Sequence, residues 1–574
     1  MKAPVRTSLA AGICMSLAAG SAFAQVQLSD AFDGNWWNPD DSGRGVLVDY
    51  IADEAAPGRG VLWFALYTYD DQGNPTWVNV QTDQISNVAS GDIQATIYQT
   101  EGGSFDDAHN PGNVAVNAVG NAIVNVDGCE RITLELAPDA GSGLGGATSY
   151  ELQPYAGNQV QCSVVATQCP AGTTAQGADA CLLPNDIEGS LRLPKGKDYI
   201  VHGQVSVHDG GVLTVDPGVT VIGSDDPSSI NFIAVLAGGQ IIADGTRDEP
   251  ITFTGPEPVP GSWAGLVLAG RSICNDEMEE ELACEFEAIE DVKYGGQRYD
   301  DNSGILRYVR ILWAGQEIRP DEELNSLTLC GVGSGTTLEY VQVHGGLDDG
   351  FEMFGGSVNG RYLVATQVGD DMFDFDDGYF GKLQFLLGWQ GSENYDQTQD
   401  SHGIESDNSN PAPHLEPRTR PVVSNITLIG SANGSEGARI RRGSGGIYHN
   451  AVIHGFANYC LNVNGDDSAA LGPDFLAFNN SYIGQCGQGP FTGAGEAFWN
   501  AGTGNRQGDP MLNGWMPRAG SPLLGGGATP PALANAVAAD GSNDDSFFLR
   551  VDYIGAFDGI NDWTAGWLYN PGAQ

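Results

Sequence analysis

Short runs of apolar residues, many alternating with polar ones, recur along most of the chain and are separated by glycine-rich turns. Residues 201–207 alternate with a period of two, and residues 211–222 form two β-branched runs on either side of an Asp-Pro-Gly turn. Short strands of this kind, each followed by a turn, are what a β-solenoid needs. A doubly wound α/β fold would need amphipathic helices between the strands, and the pattern contains none.

A repeat becomes clear from residue 336 onward. Phe351 and Phe373 are 22 residues apart, which fits one coil, whereas the next steps, to Ile404 and Ile440, are 31 and 36 residues and imply inserted loops. Equivalent positions in neighbouring coils lie about 4.7–4.9 Å apart, so we expect these four residues to form an inward apolar column. Strand side chains alternate between the two faces, which sends the following residue outward. The expected outward column is Glu352, Asp374, Glu405 and Arg441.

The pattern predicts an all-β chain in which a right-handed parallel β-helix is preceded by a small antiparallel β domain. Residues 1–24 indicate an export signal, with a positive start, an apolar stretch at 9–17 and the cleavage site Ala22-Phe23-Ala24. The other predicted units are a small β-rich domain at 25–165, a Cys-bounded linker at 166–181 and the β-helix at 182–574. No later apolar run is long enough for a transmembrane helix, so we expect a secreted, periplasmic or cell-surface protein.

The chain is strongly acidic, with a formal net charge of −48. A field of this sign repels nucleic acid, which is therefore not an expected partner. It favours divalent cations, and Ca²⁺ is the natural choice for carboxylate ligands in a secreted protein. The alternative is that the acidity only keeps a large exported protein soluble.

The cysteines indicate disulfides, because an oxidising compartment allows neighbours to pair. No cysteine has the spacing of a zinc ribbon. The pairs expected from proximity are Cys129–Cys162, Cys169–Cys181, Cys274–Cys284 and Cys460–Cys486, which leaves Cys330 over.

Two tryptophan-bearing motifs mark the first domain. Residues 34–45 are GNWWNPDDSGRG, and residues 68–77 are TYDDQGNPTW. This pattern resembles a small β domain found in many exported proteobacterial proteins, and the resemblance implies no particular chemistry. Trp36 and Trp37 are expected in the core, with stacking on a sugar ring as the alternative.

Carboxylates are concentrated in one stretch of thirty residues. They are Asp348, Asp349, Glu352, Asp370, Asp371, Asp374, Asp376 and Asp377. Stacked carboxylates repel one another, so such a group calls for a metal ion, an arginine or a raised pKa. His402 follows one coil later, and Arg439, Arg441 and Arg442 follow after another.

The order Asp-Gly, Asp-Asp, His-Gly and Arg-Ile-basic on successive coils is similar to that of polygalacturonase-like glycoside hydrolases, which are right-handed β-helices. The resemblance implies inverting hydrolysis, in which one carboxylic acid protonates the leaving oxygen, other carboxylates activate water and basic residues hold an anionic sugar. The catalytic residues that it implies are Asp349, Asp370, Asp371, His402, Arg439 and Arg441. The chain departs from that pattern at Leu347-Asp348 and Ser401, and Arg replaces the final Lys.

Residues 302–311, 331–335 and 551–557 resemble a family of exported bacterial β-helix proteins, which implies the fold and the location. Two functions remain open. The first is a protein that binds an extracellular polysaccharide or cell-surface glycan and cuts it as a hydrolase or lyase. The second is a non-catalytic, calcium-binding structural or adhesion protein of the cell surface. Its metal ligands would be Asp348, Glu352, Asp374, Asp376 and Asp377.

Overall fold

The computed structural model describes residues 25–28, 32–38, 44–53, 59–86, 88–89, 92–102, 111–126, 131–155, 164–166, 168–275, 284–286, 289, 292–319, 322–391, 400–409, 412–530 and 547–569. The predicted export signal at 1–24 and the predicted Cys129–Cys162 pair lie outside these residues. Within them, no helix has the length and apolar character needed to cross a membrane. The chain divides into two compact units, one up to Gln168 and one from Cys169 onward.

The first unit is built on eight antiparallel strands. They are Gly34–Trp37, Gly45–Ala52, Arg59–Tyr69, Pro75–Thr82, Ile93–Glu101, Ala115–Val126, Ile132–Pro138 and Thr148–Pro154. Each strand pairs with the next, the last pairs with the first, and the sheet therefore closes on itself around one apolar core. Trp36 is buried in that core, as predicted, whereas Trp37 is half-buried and points to the outside of the sheet.

Smaller elements complete the first unit. A second sheet pairs Gln25–Gln27 with Val88–Ala89 and Val164–Val165, Ile85–Ser86 extends the edge of the closed sheet, and Pro111–Asn113 form a 3₁₀ turn.

The second unit is a parallel β-helix with two long sheets. The larger sheet contains Thr174–Gln176, Ala180–Leu182, Ser190–Leu193, Asp198–Val201, Val212–Val215, Thr220–Gly223, Gln240–Asp244, Ile251–Thr254, Gly304–Leu312, Thr337–His344, Asn359–Thr366, Lys382–Trp389, Val422–Ile429, Gly446–His449, Val452–His454, Leu476–Asn479, Tyr482–Ile483 and Arg506–Gln507. The other, called the site sheet below, contains Asp186–Ile187, Gln204–Val207, Phe232–Val235, Gly265–Ala269, Leu327–Cys330, Phe351–Phe354, Phe373–Asp376, Ile404–Ser406, Ala438–Ile440, Tyr459–Val463 and Gly489–Gly493. Within these two sheets all pairings are parallel except the hairpin of Thr174–Gln176 with Ala180–Leu182, which lies at the end of the segment predicted as a linker. The predicted all-β fold class, a parallel β-helix after an antiparallel sheet, is confirmed.

The second unit also contains several small sheets and helices. Three two-stranded sheets pair Cys284–Glu285 with Lys293–Tyr294, Glu317–Arg319 with Glu322–Glu323, and Leu512–Asn513 with Met516–Pro517. Two short helices span Asp466–Ala469 and Gly495–Ala501. The predicted disulfides Cys169–Cys181, Cys274–Cys284 and Cys460–Cys486 are present, and Cys330 is buried.

An aromatic stack runs along the larger sheet at the position where its long strands bend. The rings of Tyr308, Tyr340 and Tyr362 follow one another at 4.4 and 4.3 Å between centroids. All three adopt a positive φ, which produces the bend. The C-terminal segment covers the stack, because the buried Trp567 places its ring edge-on to Tyr308 at 5.8 Å and to Tyr340 at 6.0 Å.

Candidate functional site

Two columns of polar side chains run along the site sheet. Parallel pairing aligns the first, which we call the strand column: Glu352, Asp374, Glu405 and Arg439. Hydrogen bonds between backbone groups of neighbouring coils align the second just before the strands begin. This entry column consists of Asp349, Asp371, His402 and Glu436.

The register corrects one expectation from the sequence. Ile404 pairs with Ala438, and Ile440 lies two residues further along the same strand. Both apolar residues are buried, since residues two apart on a strand point to the same side. The outward column therefore continues to Arg439 and not, as predicted, to Arg441. The inward stacking of the phenylalanines is as expected.

His402 lies at the centre of the entry column and is only 1 % exposed. Its Nδ1 is 2.8 Å from Oδ1 of Asp371 and 3.7 Å from Oε1 of Glu405, while its Nε2 is 3.6 Å from Asp400 and 3.8 Å from Glu436. Burial alone would lower the pKa of His402, but the carboxylates, Asp371 first, outweigh burial and raise that pKa above its ordinary value. The ring is therefore suited to carry a positive charge among four acids.

Glu405 is a buried acid with two arginine neighbours. Burial, followed by the charge of Asp371, raises the pKa of Glu405 to about 7. Arg441 forms a close ion pair with one carboxylate oxygen, and Arg439 lies 3.4 Å from the other. The two arginines lower the pKa of Glu405 but do not bring it back to its ordinary value, because removing a charged carboxylate from water costs much free energy.

The arginines at this end of the sheet are engaged by protein carboxylates. Nη1 of Arg439 is 2.8 Å from Asp400, Nε of Arg441 is 2.9 Å from Asp407, and Nη1 of Arg442 is 2.5 Å from the other oxygen of Asp407. A guanidinium held by two acids offers fewer donors to a further carboxylate. The sequence resemblance implied that Arg439 and Arg441 hold an anionic sugar, and in the structure both hold acids of the protein itself.

Among the residues that the structure describes, three groups of side chains have the spacing of a cation site, with one ligand atom from each residue within 4.8 Å of the others. The groups are Asp348 with Asp349 and Asp370, Asp349 with Glu352 and Asp374, and Asp371 with His402 and Glu405. The first two share Asp349 and offer only carboxylate oxygens, the ligands that Ca²⁺ prefers.

The group of Asp349, Glu352 and Asp374 meets a further test of fit for a hard cation. Oδ1 of Asp374 is buried and has no hydrogen-bond partner among the described residues, and the same holds for Oγ1 of Thr328, which pairs in register with Glu352. Burial and neighbouring carboxylates raise the pKa of Asp349 and of Asp374 well above the usual range. A divalent cation would remove that repulsion and supply the missing partner.

The third group does not fit a metal ion in the same way. Nδ1 of His402 is hydrogen-bonded to Asp371, and Arg439 and Arg441 already bring positive charge to Glu405. A protonated imidazole cannot be a metal ligand. We therefore interpret this group as an ion-pair network.

The predicted metal ligands Asp376 and Asp377 are not members of these three groups. Asp376 lies on the strand two residues beyond Asp374, and burial raises its pKa well above the usual range, with Asp377 adding to the rise. Asp377 begins the following turn at φ +51°, and its carboxylate accepts a hydrogen bond of 3.1 Å from the hydroxyl of Tyr294.

Two of the predicted catalytic acids, Asp349 and Asp371, lie close together and are shielded from solvent, whereas the third, Asp370, is half-buried. Asp349 is 6 % and Asp371 is 4 % exposed, and Oδ1 of Asp349 accepts a 2.8 Å hydrogen bond from the backbone N–H of Asp371. Inverting glycoside hydrolases hold their two carboxyl groups about 6.5–9.5 Å apart to admit a water molecule. The carboxylate oxygens within each cation-type group are closer than that range.

Several residues of the network were not chosen from the sequence. Glu405 was expected only as an outward residue, and Asp400, Asp407 and Glu436 were not singled out. Asp407 and Glu436 lie just after and just before strands of the site sheet, so their closeness follows from the register. The His-x-x-Glu spacing of His402 and Glu405 is the one signal that could have identified the acid.

Of the comparisons with known proteins, the match to a family model agrees with the fold. No curated protein matches the chain in sequence. A solved structure titled "Crystal Structure of the periplasmic alginate epimerase AlgG" aligns with 59 % of this chain and 80 % of its own at 8 % identity, but its TM-score of 0.17 is too low to support an argument. Residues 185–486, more than half of the chain, match the family described as "Pectate-lyase like beta helix domain". The chain therefore belongs to the family of pectate-lyase-like β-helix domains.

Proposed function

We propose that this protein is an exported polysaccharide-binding protein that uses a divalent cation, Ca²⁺, at the acid-rich part of its site sheet. Two groups of carboxylates that share Asp349 carry the proposal. One of them includes Asp374, whose Oδ1 is buried and has no hydrogen-bond partner within the described part of the chain. The family description, which names a pectate-lyase-like domain, supports a glycan as the ligand.

The negative charge of the protein explains why a cation would be needed for binding an acidic glycan. A chain with a net charge of −48 repels an acidic polysaccharide at long range. Ca²⁺ takes six to eight oxygen ligands, so three carboxylates leave positions for oxygens of a sugar. Asp348 and Asp370 are only partly buried, and this exposure supports access of a ligand to the group that contains them.

A second function, hydrolysis of the bound glycan, is supported by Glu405. A general acid works best when its pKa lies near the working pH, and burial brings the pKa of Glu405 to about 7. Asp371, which is hydrogen-bonded to His402, would then be the second carboxylate that hydrolysis requires. The burial of these groups, and the arginines that engage Glu405, make binding the first proposal and hydrolysis the second.

The binding test uses the full-length protein and titrates CaCl₂ calorimetrically at pH 8, followed by affinity electrophoresis in gels containing polygalacturonate, alginate or neutral glycans. We expect measurable Ca²⁺ binding and retardation by an acidic glycan that EDTA weakens. Asp374→Asn should weaken both, whereas Asp225→Asn, which removes an exposed carboxylate elsewhere on the β-helix, should change neither. Equal Ca²⁺ binding by wild type and Asp374→Asn would contradict the assignment of the site.

Hydrolysis is tested on the same panel by release of reducing ends and by absorbance of unsaturated products. Turnover that Glu405→Gln abolishes while Ca²⁺ binding remains would establish the second function. Unsaturated products would indicate a lyase instead. An absence of products from every glycan that the protein binds would leave binding alone as the function.

A further inference from the structure

The hairpin formed by Arg59–Tyr69 and Pro75–Thr82 in the first unit carries an exposed aromatic surface. Tyr67 is 58 %, Tyr69 43 % and Trp77 44 % exposed, and Pro75 is exposed as well. Tyr67 lies directly opposite Trp77, and Tyr69 lies opposite Pro75. These four residues, called the aromatic patch below, cover the outer side of two adjacent strands.

The sequence motif at 68–77 gives the patch its position without placing its aromatic side chains in the core. Asp70 accepts hydrogen bonds from the backbone N–H groups of Gln72 at 2.9 Å and Asn74 at 2.7 Å, and Gly73 supplies the positive φ of +81° that the turn requires. The tight turn fixes the register of the two strands. The motif thus builds a hairpin whose outward positions at Tyr67, Tyr69 and Trp77 carry exposed aromatic side chains.

Exposed aromatic groups in a contiguous patch indicate a binding surface, since burying them in the core would have stabilised the fold. Neighbouring outward positions on the same hairpin are held by amides: Asn79 follows Trp77 on its strand, and Gln81 follows Asn79. The amide oxygen of Asn79 is buried and has no hydrogen-bond partner among the described residues, whereas the side chain of Gln81 is exposed. Flat apolar rings bordered by neutral hydrogen-bonding groups match the chemistry of a sugar chain, which has apolar ring faces and hydroxyl edges.

We propose that the aromatic patch is a second, cation-independent polysaccharide-binding site in which sugar rings stack on Trp77, Tyr67 and Tyr69. The occupant rests on the proposed function, because it is the same extracellular glycan that the β-helix binds. Cross-strand neighbours lie about 4.5–5.5 Å apart, so Tyr67 and Trp77 present adjoining ring surfaces to one chain. Two weak sites on one polypeptide raise the apparent affinity for a polymer, since the second contact becomes intramolecular.

The experiment measures binding of the full-length protein to soluble hydroxyethyl cellulose, xylan and polygalacturonate in the presence of EDTA, which removes the contribution of divalent cations. We expect residual binding to at least one of these polymers, and about tenfold weaker binding in the double variant Tyr67→Ala/Trp77→Ala. Trp77→Phe should recover part of the loss because a ring remains. Ile51→Ala, an exposed apolar residue on a neighbouring strand, is the matched control and should bind like wild type.

The outcomes separate this proposal from the proposed function. Binding that EDTA abolishes, or that the double variant retains in full, overturns the aromatic patch and leaves the cation site intact. Binding that ignores EDTA and Asp374→Asn but fails in the double variant supports the patch and overturns the cation site. No binding to any polymer, with or without Ca²⁺, overturns both. A wild-type dimer in sedimentation that the double variant converts to monomer would show that a second copy covers the patch, which also overturns the proposal.

Discussion

Replacing Glu405 by glutamine tests whether burial or ion pairing dominates in the network around His402. Burial raises the pKa of Glu405 from an ordinary 4.5 to about 7. Since one pKa unit corresponds to about 1.4 kcal/mol, the ionised carboxyl makes the fold about 3 kcal/mol less stable above pH 7 than an unperturbed carboxyl would. The folded state binds the extra proton, so this cost is absent at low pH and develops as the pH rises from 4.5 to 7. Glutamine has nearly the same shape, carries no charge, and can accept a hydrogen bond from Arg441.

We expect Glu405→Gln to be more stable than wild type at pH 8 and close to it at pH 5. Guanidinium denaturation followed by circular dichroism at both pH values in EDTA measures the difference in midpoint. Glu188→Gln, which removes an exposed carboxyl, should shift little at either pH. A midpoint that falls for Glu405→Gln at pH 8 would refute the reasoning, because it would mean that Arg439 and Arg441 stabilise the ionised acid by more than burial opposes it.

Two further predictions concern the C-terminal segment and His402. Trp567→Ala should destabilise the packing of the C-terminal segment by about 3–5 kcal/mol, because the buried indole covers the tyrosine stack. We expect faster hydrogen exchange in residues 547–569, with Ile560→Ala as the exposed control. Unchanged exchange in Trp567→Ala would contradict the prediction. Asp371→Asn should lower the pKa of His402, because it removes the strongest of the charges that raise this pKa. NMR titration of the imidazole measures the shift, and His402→Gln identifies the signal. An unchanged pKa would mean that the other acids are sufficient to keep the pKa of His402 raised.

The coil repeat could be predicted from the sequence because each strand is short and its inward residues are apolar, which the local sequence shows directly. The spacing of Phe351 and Phe373 gave one coil, and their rings stack at 5.3 Å between centroids. Across the insertion before Ala438 the same rule was wrong by two residues. Ala438 and Ile440 both point inward, so period-two alternation cannot decide which of them pairs with Ile404.

The partners of the arginines could not be predicted in the same way. Whether Arg439 and Arg441 face a ligand or the protein depends on Asp400 and Asp407, which lie outside the strands where the repeat gives no register. The pKa of Glu405 likewise depends on burial by neighbouring coils, which is a tertiary property. Sequence order therefore indicated some of the acids and bases that meet, but not which of them neutralise one another.

Protons and cations compete for the same carboxylates along the site sheet. At the His402 end, the imidazole and the arginines supply fixed positive charge. At the Asp349 end, the raised pKa values mean that Asp349 and Asp374 hold protons at a pH where an exposed carboxyl has lost them. A divalent cation must displace those protons, so its affinity rises with pH over the range in which the cation-free fold loses stability. The acidity that strains the fold is then the same property that gives Ca²⁺ its site.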